Sequence, residues 1–192
     1  MKIALIPARG GSVRIPKKNV RDFRGRPIIE YGIECAKRTG LFDQVWVTTD
    51  DPDIERLAIA NGCQVFRRPA DDGSRGTQEV AREVLMELIS VDECCIIYAT
   101  CPLIVPADIH RCAAVLKKPG ALYAMTVQTE PLADAGAIYF CNAAAIRVRA
   151  PLIDSHTVMV PMPSGRVCDI NTMEDFARAE RMYDAWKRPG SV

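Results

Sequence analysis

The residues best suited to chemistry lie in one basic, glycine-containing segment near the start of the chain. Between Arg9 and Arg26 there are seven cations and one acid, so this segment carries a net charge of +6. Gly10 and Gly11 allow backbone N–H groups to approach a ligand closely. Arginine forms paired hydrogen bonds to a phosphate and lysine adds a point charge, so together they suit a triphosphate. The cations are Arg9, Arg14, Lys17, Lys18, Arg21, Arg24 and Arg26.

Two common phosphate-binding motifs are missing from this segment. The chain contains neither the GxxxxGKS/T loop of P-loop proteins nor the GxGxxG of dinucleotide-binding folds. The basic segment instead follows the apolar run from Lys2 to Ala8, which is typical of a buried strand. We therefore predict a phosphate-binding loop of another kind at the end of the first strand. The alternative is a solvated basic loop beside the start of a helix.

The composition of the whole chain excludes several classes of partner. The 192 residues carry a net charge of only +1, which indicates neither nucleic acid nor an anionic membrane as a partner. The longest uncharged run, residues 94–107, has 14 residues, fewer than the roughly 20 apolar residues of a membrane-spanning helix. The N-terminal apolar run is too short for a secretory signal, so we expect a cytoplasmic protein. The eight cysteines form no CxxC pair, which favours buried, reduced thiols over a zinc site.

Apolar runs alternate with helical periodicity along the chain. This pattern predicts a single domain over residues 1–192 with a three-layer α/β fold and a mostly parallel central sheet. Ligands of such sheets bind beyond the carboxyl ends of the strands, where the basic segment lies. We predict strands over residues 2–8, 44–49, 63–66, 94–99, 121–127, 135–140 and 158–161, and helices over residues 27–38, 52–60, 77–89, 106–117 and 172–186.

Collinear motifs over nearly the whole chain resemble those of the acylneuraminate cytidylyltransferases, the enzymes that make CMP-activated nonulosonic acids. The tyrosine-alanine-threonine sequence at 98–100 and the motifs at 134–136 and 166–176 are most similar to those of the pseudaminic acid cytidylyltransferases. The resemblance implies a Rossmann-like nucleotidyltransferase fold. The motifs are IPARGGS at 6–12, RIP at 14–16, KN at 18–19, FRGRPII at 23–29, VTTDD at 47–51, RRPA at 67–70, GT at 76–77, CCIIYATCP at 94–102, DAG at 134–136 and RVCDINTMEDF at 166–176.

The resemblance also implies a reaction. The anomeric hydroxyl of a sugar-acid acceptor attacks the α-phosphorus of CTP in the presence of Mg²⁺, giving a CMP-sugar and pyrophosphate. Metal and cations stabilise the charge on the leaving pyrophosphate. The implied metal ligands are Asp169 and Asn171. The implied catalytic residues are Arg9, Arg14, Lys18 and Asp169, and the implied nucleotide-binding residues are Ala8, Arg9, Gly10, Gly11, Ser12, Lys18, Asn19, Arg68, Thr77, Tyr98, Ala99 and Thr100.

Three features of the chain depart from the family pattern. Val13 stands where the family usually places a lysine or arginine beside the reacting phosphate. Asn171 replaces the second aspartate of an Asp-x-Asp motif, which removes one negative charge from the metal site. Only residues 129–133 separate the predicted strand that ends at Val127 from Asp134. Relatives carry at this place an insertion that forms a dimer arm and part of the sugar pocket. Ala133 stands where the pseudaminic enzymes usually have histidine.

These departures leave three functions open. The first is a CMP-sugar synthetase with a reduced acceptor site. The second is a CTP-binding homologue with weakened or lost turnover, and the third is a cytidylyltransferase for a smaller acceptor such as a phosphonate. A homodimer is an open option, although the segment that usually forms its arm is missing.

Overall fold

The structure, a computed structural model, describes residues 1–70 and 74–187. Two short 3₁₀ turns accompany the regular elements, at Lys18–Val20 and Ser164–Arg166. The strands are β1 Lys2–Pro7, β2 Asp22–Phe23, β3 Arg26–Pro27, β4 Gln44–Thr49, β5 Gln64–Arg67, β6 Glu93–Ile97, β7 Tyr123–Thr129, β8 Leu132–Asn142 and β9 Thr157–Pro161. The helices are α1 Ile29–Arg38, α2 Pro52–Ala60, α3 Thr77–Glu87, α4 Pro106–Leu116, α5 Ala143–Arg147 and α6 Met173–Lys187.

Seven strands form the central sheet in the order β5-β4-β1-β6-β8-β7-β9. β8 runs antiparallel to both of its neighbours, and every other pair in this sheet is parallel. Buried residues of α1, α2 and α4 pack on one face, and those of α3 and α5 pack on the other. The predicted three-layer α/β fold with a mostly parallel sheet is therefore confirmed.

The reversed strand has a consequence for the edge of the sheet where ligands bind. Because β8 is antiparallel, its first half lies at the edge where β1, β4 and β6 end. Ile97, the last residue of β6, pairs with Ile138 in β8. The Asp134-Ala135-Gly136 motif thus reaches the same edge as the basic loop that follows β1.

Helix α6 closes the fold on a third apolar cluster. The Phe23 and Phe176 rings meet edge to face with centroids 5.5 Å apart. The hydroxyl of Tyr31 donates a hydrogen bond to the Phe23 carbonyl oxygen at 2.7 Å. This cluster packs the end of the chain against the segment that follows the basic loop.

Several boundaries differ from the predicted ones. Pro27 does not start a helix, because it pairs with Asp22 in the small β2–β3 hairpin, and α1 begins at Ile29. The short helix α5 was not predicted, since its five residues are too few for a visible helical period. Residues 129, 132 and 133 belong to strands rather than to a loop, so that only Glu130 and Pro131 connect β7 to β8.

The cysteines follow the expectation for apolar, reduced residues. All eight are buried and free. No helix within residues 1–70 and 74–187 has the length and apolar character needed to cross a membrane.

Candidate active site

A cationic cavity of about 260 Å³ lies beyond the carboxyl ends of β1 and β6. Most of the predicted site residues line this cavity, on both sides of the sheet edge. Among the residues that the structure describes, no carboxylate lines it. A cavity with this charge favours a polyanionic ligand. Its cations are Arg9, Arg14, Lys18, Arg68 and Arg75, and its other predicted residues are Ser12, Asn19, Thr77, Tyr98, Ala99, Thr100 and Asn171.

The basic loop is fixed by two hydrogen bonds to its backbone. The Gly10 N–H donates to Oδ1 of Asp50 at 2.8 Å, and the Asn19 side-chain amide donates to the Arg9 carbonyl oxygen at 2.8 Å. A Cβ on Gly10 would lie 2.8 Å from Cβ of Asp51, too close for any larger residue. Gly10 is thus required by close approach of the loop to the residues that follow β4. Ala8, which precedes the loop, is buried.

The two aspartates after β4 have separate tasks. Asp51 caps α2, accepting hydrogen bonds from the N–H groups of Asp53 at 2.7 Å and Ile54 at 3.2 Å, as expected for an aspartate before a helix. Asp50 holds Gly10 instead of capping the helix. No local signal in the sequence distinguishes these neighbouring aspartates, because the contact that separates their roles spans 40 residues.

Arg9 contributes an unpaired cationic group to the cavity. Its Nη1 atom is buried and has no hydrogen-bond partner in the structure. A buried donor left unpaired costs about 1 to 3 kcal/mol, and more when it is charged. This atom is therefore suited to an anionic ligand, which would supply the missing acceptor.

The two adjacent lysines differ sharply in environment. The Lys18 ammonium lines the cavity and donates to the Ile170 carbonyl oxygen at 2.8 Å. Burial lowers the pKa of Lys18, while the nearby Asp169 carboxylate opposes that shift. Lys17 is exposed and pairs with Asp53 at 2.8 Å, away from the cavity.

The segment that carries the predicted metal ligands is tied to the basic loop. Nη2 of Arg14 donates to Oδ1 of Asn171 at 2.8 Å, and Nδ2 of Asn171 donates to Oδ2 of Asp169 at 2.5 Å. The N–H groups of Asn171 and Thr172 donate to Oδ2 of Asp175 at 3.1 and 2.9 Å. Asp175 and Thr172 also form the reciprocal hydrogen bonds of the capping box at the start of α6.

Asp169 is suited to binding Mg²⁺, whereas the side-chain amide of Asn171 is already hydrogen-bonded to Arg14 and Asp169. Mg²⁺ commonly binds one or two carboxylates together with substrate phosphates and waters, so a single exposed carboxylate beside a phosphate site suits it. The Asn171 carbonyl oxygen accepts from Arg14, and its amide nitrogen faces Asp169. Flipping this amide would place its carbonyl oxygen against the Asp169 carboxylate and its N–H groups against the Arg14 guanidinium. Both contacts would be repulsive, so the observed orientation is the favourable one. Within the described ranges, no group of three or more His, Cys, Asp or Glu side chains could hold a metal.

Gly136 lies directly against the Asp169 carboxylate. It has a φ of +59°, and a Cβ there would lie 3.7 Å from Cγ of Asp169. The left-handed backbone favours glycine at this position. The motif at 134–136 therefore borders the carboxylate that would hold the metal.

On another wall of the cavity, the turn after β6 faces the start of α3. The hydroxyl groups of Tyr98 and Thr77 lie 2.9 Å apart. Arg68 follows β5 and is buried. Val13, which also lines the cavity, is 86% exposed, so it brings an apolar surface to a position open to solvent.

A buried ion pair braces the segment before Asp169, and the sequence carried no sign of it. Asp108, at the start of α4, is 1% exposed and accepts hydrogen bonds from Nη2 of Arg166 at 3.0 Å and Nη2 of Arg111 at 2.6 Å. Arg166 also donates to the Leu103 carbonyl oxygen at 3.2 Å. The ion pair therefore joins α4 to the chain three residues before Asp169.

A family model and curated proteins both match this chain over most of its length. A family model described as "Cytidylyltransferase" matches residues 3–177. The pseudaminic acid cytidylyltransferases of Campylobacter jejuni serotypes O:2 and O:23/36 are 32% and 30% identical to the chain, covering 94% of it and 95% of each relative. The alignment with the O:2 relative spans 222 positions against the 192 residues here, so that relative carries residues that this chain lacks.

Solved structures resemble the chain at lower identity. A CMP:2-keto-3-deoxy-manno-octonic acid synthetase complexed with CTP has a TM-score of 0.77 and 20% identity, covering 96% of this chain and 98% of its own. A 4-diphosphocytidyl-2C-methyl-D-erythritol synthase from Anaerococcus prevotii has a TM-score of 0.71 and 13% identity, covering 95% and 96%. These likenesses show a shared fold.

Proposed function

Because this chain belongs to the cytidylyltransferase family and is therefore a nucleotidyltransferase, we propose that it transfers CMP from CTP to a nonulosonic acid of the pseudaminic or sialic type. The observation that carries this proposal is the five-cation cavity with an unpaired Arg9 guanidinium atom beside the Asp169 segment. The similarity to pseudaminic acid cytidylyltransferases over 94% of the chain supports the acceptor class. We assign the reaction to the cytoplasm, where CTP is made.

The residues of the cavity have distinct tasks in this reaction. An oxygen–phosphorus bond forms between the acceptor hydroxyl and the α-phosphorus as the bond to the β-phosphate oxygen breaks, and the hydroxyl proton passes to water. Arg9 and Lys18 hold the phosphates and stabilise the negative charge on the departing pyrophosphate. Asn19 keeps the loop in place through the Arg9 carbonyl oxygen. Asp169 would hold Mg²⁺, which when bound would further neutralise the phosphate charge.

The nucleoside has its own set of contacts. Arg68, Thr77 and the turn from Tyr98 to Thr100 border the cytidine. The hydrogen bond between Thr77 and Tyr98 keeps both hydroxyl groups on one wall of the cavity. Arg14 lines the same cavity, and we propose that it compensates in part for the cation that Val13 does not provide.

Pyrophosphate release from CTP and Mg²⁺ tests the proposal, with pseudaminic acid and N-acetylneuraminic acid as acceptors. The adjacent lysines offer matched variants. Lys18→Ala should lower turnover about a hundredfold or more, because it removes a cation from the developing charge. Lys17→Ala removes an exposed lysine that pairs with Asp53 and should leave turnover nearly unchanged. Equal losses in the two variants, or no pyrophosphate with any acid, would contradict the proposal.

A CTP-binding homologue with weak or no turnover is the second candidate. Two observations favour it, namely the exposed Val13 in place of a cation and the Asn171 amide engaged by Arg14 and Asp169. This candidate predicts CTP binding by calorimetry without pyrophosphate release. The double variant Val13→Lys with Asn171→Asp should then restore release.

A smaller acceptor, such as a phosphonate, is the third candidate. The short Glu130–Pro131 connection between β7 and β8 favours it, since no insertion extends from this hairpin to enclose a large sugar. Pyrophosphate release with small phosphonates but not with nonulosonic acids would identify it.

A further inference from the structure

A second cavity, of about 220 Å³, lies beside the cationic cavity described above, which we now call the nucleotide cavity. The two cavities share Thr77 and Tyr98. We name it the tyrosine pocket, because Tyr98, Tyr123 and Tyr139 line it. The hydroxyl groups of Thr77 and Tyr98 are 2.9 Å apart, so these two side chains form a partition between the cavities. A molecule that extends past this partition would occupy both.

The two cavities have opposite electrostatic character. Five cations line the nucleotide cavity, whereas among the described residues Asp134 is the one charged side chain that lines the tyrosine pocket. The remaining wall of the tyrosine pocket is largely apolar, with Ile96, Ile146 and Leu152 among its residues. A phosphate or carboxylate would therefore be repelled there, and a neutral group with apolar parts is favoured.

The mouth of the pocket offers groups suited to a hydroxylated ring. The Tyr139 hydroxyl donates to Oδ2 of Asp134 at 2.5 Å, and burial raises the pKa of Tyr139, so that it remains a neutral donor. Asp134 is exposed and keeps acceptor capacity for a ligand hydroxyl. The rings of Tyr98 and Tyr139, with centroids 5.3 Å apart, provide aromatic surface for C–H groups.

The pocket also lies close to the reacting end of the site. The Gly136 N–H donates to Oδ1 of Asp134 at 2.8 Å. A Cβ on the same glycine would lie 3.8 Å from Oδ1 of Asp169. Gly136 therefore lies between the Asp134 carboxylate, which lines the tyrosine pocket, and the Asp169 carboxylate, which is the predicted metal ligand.

We propose that the tyrosine pocket binds the uncharged, N-acylated end of the acceptor. The acid group of the acceptor then remains near the cations of the nucleotide cavity, and Asp134 accepts a hydrogen bond from a ring hydroxyl. This assignment rests on the proposed function and adds a specificity site to it. It makes Leu152 and Asp134 determinants of which sugar acid is accepted.

Filling the pocket from its apolar wall tests the assignment, and two adjacent residues provide a matched pair. Leu152→Trp places bulk in the pocket, while Ile153→Trp makes a similar change at a side chain that is 72% exposed. Binding of pseudaminic acid, N-acetylneuraminic acid and 2-keto-3-deoxy-manno-octonic acid is measured by calorimetry with CTP present and Mg²⁺ absent. The third acid carries no N-acyl group.

We expect Leu152→Trp to weaken binding of the two N-acylated acids roughly ten- to a hundredfold, the usual range for a misfit in an apolar pocket. Binding of the third acid and of CTP should change by less than about twofold, as should all binding to Ile153→Trp. Leu152→Ala should have the opposite effect and strengthen binding of an N-butanoyl analogue of neuraminic acid about tenfold.

Three results would overturn the assignment. They are unchanged binding in Leu152→Trp, equal losses for all three acids, and a failure of the unmodified protein to bind any N-acylated acid. Pyrophosphate release by the unmodified protein is measured separately. If the unmodified protein releases no pyrophosphate but still binds the N-acylated acids in a way that depends on Leu152, the proposed transfer is refuted and the pocket assignment stands.

Discussion

The side-chain amide nitrogen of Asn171 lies 2.5 Å from a carboxylate oxygen of Asp169, and its carbonyl oxygen lies 2.8 Å from the Arg14 guanidinium. A neutral amide thus links a cation of the basic loop to the carboxylate that would hold Mg²⁺. An aspartate at the same position would set two carboxylates at hydrogen-bonding distance. Asn171 therefore stabilises this arrangement without a metal, and we expect it to lower the affinity for Mg²⁺.

Asn171→Asp should reverse that balance. We expect Mg²⁺ to bind the CTP complex about tenfold more tightly, because a second carboxylate strengthens an oxygen site. Without metal, the melting temperature should fall because the two carboxylates repel each other. Calorimetric Mg²⁺ titration and thermal unfolding measure both effects. Asn171→Ala is the control, since it loses both hydrogen bonds without adding charge and should not gain Mg²⁺ affinity. An unchanged Mg²⁺ affinity in Asn171→Asp would refute this account.

CTP binding should depend on pH through Lys18. Burial lowers the pKa of this ammonium from its ordinary value of 10.5. A lysine is cationic below its pKa, so CTP affinity should fall as pH rises through the lowered value, earlier than for an ordinary lysine. Calorimetry from about pH 7 to about pH 10 would detect the fall. Lys18→Arg should bind CTP with a flatter profile, because a guanidinium stays protonated over this range. Parallel falls in both proteins would exclude Lys18 as the origin.

The neighbouring glycines of the basic loop should respond differently to the same substitution. A Cβ on Gly10 would clash with Asp51, whereas a Cβ on Gly11 would have no atom within 4 Å. Gly10→Ala should therefore destabilise the free protein by about 1 to 3 kcal/mol, and Gly11→Ala should have little effect. Urea unfolding of the two variants measures the difference. Equal stability would mean that the loop does not pack against the start of α2 as described.

Arg166→Met should be among the most destabilising changes outside the apolar core. It leaves the Asp108 carboxylate, which is 1% exposed, paired with Arg111 alone of the two arginines that contact it. Breaking a buried ion pair from one side costs about 3 to 5 kcal/mol, and the retained Arg111 contact places the loss toward the lower end of that range. Adding Asp108→Asn removes the incompletely compensated charge and should recover part of the loss. Equilibrium unfolding of the two single variants and the double variant tests the coupling. The coupling is disproved if the loss of unfolding free energy in the double variant equals the sum of the losses in the single variants.

Much of the architecture could be predicted from local patterns. The strand Gln44–Thr49 and the helix Pro52–Ala60 have the predicted bounds, because β-branched runs and an aspartate–proline helix start act over a few residues. The predicted helix start at Pro27 was wrong, because Pro27 pairs with Asp22 in the short β2–β3 hairpin. A proline is compatible with a strand of this kind as well as with the first turn of a helix, so its position alone did not distinguish the two.

The sequence alone determined the alternation of strands and helices, the basic loop after β1, and the types of residue offered to a phosphate. Only the tertiary structure decided that Arg14 meets Asn171 across 157 residues, that Asp108 meets Arg166, and that three tyrosines enclose a pocket. Helical period, strand alternation and caps are encoded by neighbours along the chain. Contacts between side chains on different elements depend on how the packed core orients those elements, which no short window of sequence specifies.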